Sequence, residues 1–76
     1  SQLKHAESRT LYAQLQELET LMANTQTTLD NNRKKYAQQP SARQQLRAQI
    51  IKLEQQLEQQ QADSRALAKR IRKLEN

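Results

Sequence analysis

Gln38-Gln39-Pro40-Ser41-Ala42-Arg43-Gln44-Gln45 (QQPSARQQ) is the stretch that decides the fold. On its N-terminal side, Leu11, Leu15, Leu18, Met22, Thr25, Leu29, Asn32 and Tyr36 follow a 4-3-4-3 spacing. On its C-terminal side, Leu46, Ile50, Leu53, Leu57, Gln60, Ser64, Leu67, Ile71 and Leu74 resume the same alternation. That spacing keeps one stripe of a helix facing a partner helix, the seam of a coiled coil. One unbroken helix that dimerises along its length is the rival shape. A proline inside a helix costs about 3 kcal/mol or more, and continuity would put Gln39 and Arg43 on the seam. The sequence therefore predicts an all-α, antiparallel two-helix coiled-coil hairpin. Self-association into a dimer or a four-helix bundle is a further expectation.

The boundaries follow from local chemistry. Helix one is expected over about 2–38, the turn over about 39–41 and helix two over about 41–75. Ser8 or Thr10 could cap a later start of helix one. Gln39 precedes proline and is pushed out of the helical region. Ser41 and Gln44 match a capping box; Gln39 as cap with Pro40 at the first helical position is the alternative. Folded about residue 41, the seams meet in layers whose residue numbers sum to 82, from Tyr36 with Leu46 to Leu11 with Ile71. Four layers are wholly apolar. Asn32, Thr25, Gln60 and Ser64 each bring a polar side chain to the others. The middle, Met22/Gln60 to Leu18/Ser64, should be the softest part. Thr25 and Asn32 read as residues that set register. Leu3, Tyr12, Leu21 and Ile51 lie off the seam, either as ordinary exposed apolar groups or as docking points.

Composition narrows the function. The 76 residues hold no Gly, Phe, Trp or Cys, one Pro and fourteen Gln, and apolar residues make up 34%. Such a chain buries a stripe rather than a globular core, and cores this small are marginal alone. The missing Cys removes disulfides and thiolate metal sites and fits a reducing, cytoplasmic setting. No apolar run is long enough to span a membrane. The opening Ser marks either a processed start or a piece of a larger protein.

A formal net charge of +5 favours acidic partners. The hairpin gathers Lys4, His5, Arg9, Arg65, Lys69, Arg70, Arg72 and Lys73 at one end and Arg33, Lys34, Lys35, Arg43 and Arg47 at the turn. Glu17, Glu19, Glu54 and Glu58 fall between. All twelve Lys and Arg residues named here are candidates for binding a phosphate or an acidic protein. Aromatic and Gly interleaving of the kind used by single-strand nucleic-acid modules is missing. A lone His5 without Cys suggests no metal site. A two-helix rod offers no dry pocket to tune Glu54, Glu58 or Ser64 for chemistry. Catalytic residues, cofactors and metals are therefore not expected, and the chain reads as a non-enzymatic interaction module. Tyr36 should close the seam with its hydroxyl in water.

Helix two, LRAQIIKLEQQLEQQQADSRALAKRIRKLEN, resembles the C-terminal helix of the bacterial primosomal replication protein N″ (PriC) family. The matching residues are Leu46, Ile50, Leu53-Glu54, Leu57, Leu67, Arg70-Ile71 and Leu74; Leu11-Tyr12 and Leu15 resemble the preceding family helix. The resemblance implies a helical arm of a DNA replication or maintenance protein that meets DNA or the single-stranded-DNA-binding protein. The chain departs from that family where the usual His-Gln-x-aromatic-Glu-Arg-Arg-Leu run is replaced by LETLMANT, where a frequent Cys falls near Gln60, and in its longer turn. Tyr36, Pro40 and the hairpin also resemble Rho-effector (HR1-type) fingers, which implies small-GTPase binding. A purely structural spacer or oligomerisation element is the remaining alternative.

Overall fold

The computed structural model describes residues 2–76 and shows a helical hairpin. Helix α1 spans Gln2–Gln38, a 3₁₀ turn spans Pro40–Ala42, and helix α2 spans Arg43–Glu75. The rod measures 59 × 14 × 13 Å. One unbroken helix of this length would reach about 110 Å at about 1.5 Å per residue. The chain therefore doubles back, and α1 packs along α2.

Side-chain burial follows the heptad. Leu11, Thr25, Leu29, Leu46 and Ile71 are buried, and the other twelve seam residues are half-buried. Leu3, Tyr12, Leu21 and Ile51 are exposed. The seam extends one layer beyond the sequence reading. Ser8 is half-buried and lines the same cavity as Leu74, at the layer that continues the sum of 82. The buried residues fall in two groups, one near the turn and one at Leu11 and Ile71. Between them, Leu15, Leu18, Met22, Gln60, Ser64 and Leu67 all keep some access to solvent. The middle is thus the loosest stretch. Gln60 Oε1 is buried there with no hydrogen-bond partner, an arrangement that costs stability.

Two expectations about capping are corrected. Ser41 forms no capping box. Pro40 opens the 3₁₀ turn, with Gln39 before it in an extended conformation (φ −126°, ψ 83°). Ser41 therefore lies inside the turn, and α2 starts at Arg43 rather than 41 with no side-chain cap at Ala42. Pro40 at the first position after Gln39 is the arrangement adopted, because proline's fixed φ suits it and its missing N–H goes unnoticed there. The Ala42 N–H instead donates to the Gln39 carbonyl at 3.0 Å. At the other end, Ser8 and Thr10 do not start α1, which already runs from Gln2. The Thr10 hydroxyl donates backward to the Ala6 carbonyl at 3.1 Å.

Thr20, Thr25, Thr27 and Thr28 make the same backward bond to the fourth preceding carbonyl. This explains how the Thr- and Asn-rich stretch of α1 stays helical: its hydroxyls are satisfied on their own helix. It also separates the two polar seam residues. Thr25 turns its hydroxyl onto Leu21, so it does not reach α2. Asn32 does reach across, its Nδ2 donating to Gln49 Oε1 at 3.3 Å.

Candidate binding surface

Two cationic ends are held about a rod length apart. At the turn, the guanidinium groups are engaged with the hairpin itself. Arg43 Nε donates to the Tyr36 carbonyl at 2.8 Å, and a terminal nitrogen approaches the Ala37 carbonyl at 3.4 Å. These are among the last carbonyls of α1, which have no partner within the helix. Arg43, in the first residue of α2, thus caps α1 across the turn. Its Cζ also lies 5.3 Å from the Tyr36 ring centroid, within cation–π range. Arg47 donates to the Tyr36 hydroxyl at 3.0 Å. That hydroxyl, expected to reach water, lies at the surface and there also accepts from a guanidinium. Arg33 pairs with Glu54 at 3.1 Å. Lys34 and Lys35 complete this end as exposed side chains.

At the open end, where the start of α1 lies beside the end of α2, the arrangement differs. Arg9, Arg65, Lys69, Arg70, Arg72 and Lys73 are exposed, and none of their side chains forms a hydrogen bond or ion pair among the described residues. Lys4 and His5 line a shallow cavity with Ser8, Leu74 and Glu75. Tyr12 donates to Glu75 Oε1 at 2.7 Å and ties the end of α2 to α1. The first turn of α1 carries no acidic residue of its own; Glu75 of α2 shares the cavity beside it. By helical position, the five cations of α2 spread over its outer surface, with Arg65, Lys69 and Arg72 in one row and Lys73 and Arg70 beyond it.

Each of the twelve candidate residues is thus exposed, but the two ends are not equivalent. Arg33, Arg43 and Arg47 have their donors engaged within the fold; most of the open-end cations do not. Among the described residues there is no group of His, Cys, Asp or Glu that could hold a metal ion. No helix is long and apolar enough to cross a membrane.

The two tyrosines provide a spectroscopic check on this geometry. The Tyr36 hydroxyl is held below its usual pKa by the hydrogen bond from Arg47, with the Arg47 charge adding to it. The Tyr12 hydroxyl is raised, first by its bond to Glu75. A lowered pKa favours the fold above the unfolded value near 10, and a raised one favours it below that value. The two effects oppose each other in the alkaline range. We expect absorbance titration of phenolate to show one step below pH 10 and one above it. In denaturant the steps should merge, and Arg47→Ala should move the lower step up.

The chain matches no protein-family model, no curated protein and no solved structure. The likeness to the N″ family therefore rests on the residues quoted above, those of α2 together with Leu11-Tyr12 and Leu15 of α1.

Proposed function

We propose that this hairpin is a non-enzymatic interaction arm whose open end binds an acidic segment of a partner protein. The observation that supports this reading is the set of exposed cations at that end whose donors are not engaged within the fold. An unengaged guanidinium has five N–H donors to offer a carboxylate. The distribution of these groups favours a flexible ligand. Arg70 and Arg72 lie on different sides of α2, with Arg65, Lys69 and Lys73 between them. A flexible acidic tail can wrap around such a surface, whereas a stiff duplex meets one side of it. The N″ family resemblance adds weight, because its members bind a replication protein as well as DNA.

The test is fluorescence anisotropy with a labelled Asp/Glu-rich peptide, run beside a labelled DNA duplex at rising salt. The proposal expects peptide binding that weakens steeply with salt, since exposed charges are screened within about 10 Å at 0.1 M. Arg70→Ala/Arg72→Ala/Lys73→Ala should weaken it by about tenfold, at a few tenths to 1 kcal/mol per exposed pair. Removing Lys34 and Lys35 should change it much less. Binding to the duplex alone would point to phosphates as the ligand. Failure to bind either probe would leave a structural spacer as the better description.

A further inference from the structure

We infer that one face of α1 is a self-association surface, on which a second copy of this chain packs antiparallel about Leu21. The face is the row Glu7, Gln14, Leu21, Thr28 and Lys35, seven residues apart and one position before the seam. Leu21 is 48% exposed although it stands beside the seam. Thr28 on the same row borders a groove lined by Asn32, Gln49, Lys52, Leu53 and Gln56. Lys52 is the one charged residue among them, and its long side chain can keep its ammonium in water when the groove is covered.

Two quantities point to a second copy as the occupant. The first is area. The hairpin exposes 5953 Å², whereas a compact monomer of 8.9 kDa exposes about 4,800 Å². The excess, about 1,150 Å², covers the roughly 800 Å² that each partner buries in a standard interface. The second is charge. An isologous pairing, in which each copy presents the same surface, sets Leu21 against Leu21 when the helices run antiparallel. Glu7 of each copy then falls within one turn of Lys35 of the other, at both ends of the contact. A parallel pairing would set Glu7 near Glu7 and Lys35 near Lys35. Neither side chain forms an ion pair within the hairpin among the described residues.

The consequence is bivalency. An antiparallel pair carries one open end at each pole of the rod, so two acidic segments can be held on the order of 60 Å apart. The dimer itself rests on Leu21 and its row, independently of what the open end binds.

Sedimentation equilibrium of the whole chain across a concentration series tests the idea. The expected result is a reversible rise from 8.9 kDa to twice that mass. Leu21→Glu should abolish the rise while leaving the helical circular dichroism of the dilute chain unchanged, because Leu21 is outside the core. Glu7→Lys should weaken association, and Glu7→Lys/Lys35→Glu should restore it. A monomer at every concentration, or a dimer unaffected by Leu21→Glu, would overturn the inference. Failure of the double exchange to restore association would overturn the antiparallel pairing.

Discussion

Leu29→Ala should leave the hairpin largely unfolded at room temperature. Leu29 is the most buried side chain, at 1% exposure. It sits in the turn-proximal group with Thr25 and Leu46, where the hairpin is best packed. Truncating a buried Leu costs about 2–5 kcal/mol, through lost transfer energy and the cavity left behind. A chain of this size has a total stability of about 4–11 kcal/mol by the usual per-residue range, and a two-helix stripe belongs at its lower end. The substitution therefore removes most of what holds the two helices together. Thermal melting followed at 222 nm checks it. Leu21→Ala serves as the control in dilute solution, since exposed positions shift stability by about 0.5 kcal/mol or less.

Gln60→Leu should do the opposite. Gln60 occupies a seam position in the loosest stretch, opposite Met22 in the register, and its Oε1 is buried without a partner. Leaving such an acceptor unsatisfied costs about 1–3 kcal/mol. A leucine of similar size removes that cost and continues the apolar stripe through the middle. On a chain this short, a gain of that order corresponds to a rise in melting temperature on the order of 10 °C. An unchanged or lowered melting temperature would mean that Gln60 finds a partner in solution. The same substitution should loosen the choice of pairing, because polar seam residues commonly fix register and oligomer state.

The shape was legible in the sequence because a heptad is a geometric instruction. Once Pro40 forbids a continuous helix, the spacing on either side leaves one efficient way to bury Leu11, Leu29, Leu46 and Ile71 together. What the spacing could not specify was the chemistry of the turn. Ser41 and Gln44 have the right letters for a capping box, yet Pro40 starts a 3₁₀ turn that carries Ser41 past the capping position. Arg43 read as a surface cation because its role depends on that turn, which brings it back over the Tyr36 carbonyl. The Ser8/Leu74 layer was hidden for a simpler reason: the seam of helix one was read only from Leu11 onward, although the sum of 82 already placed Ser8 opposite Leu74.

The open end was legible only as a concentration of charge. Outward-facing helix positions carry no packing constraint, so many residues satisfy the fold equally well at Arg65, Lys69, Arg72 and Lys73. The structure adds the distinction between cations engaged at the turn and cations with no partner within the hairpin. Arg43 and Arg47 belong to the first kind, and Arg70 and Arg72 to the second.

The reversal of the chain at Pro40 underlies every one of these statements. Spin labels at Thr10→Cys and Arg72→Cys, on outward positions of one layer, measure it directly when the doubly labelled chain is diluted into excess unlabelled protein. The account predicts an intramolecular separation on the order of 20 Å, set by packed helices about 8–10 Å apart plus the label arms. A separation near 90 Å, the span of 62 residues of continuous helix at about 1.5 Å each, would contradict it.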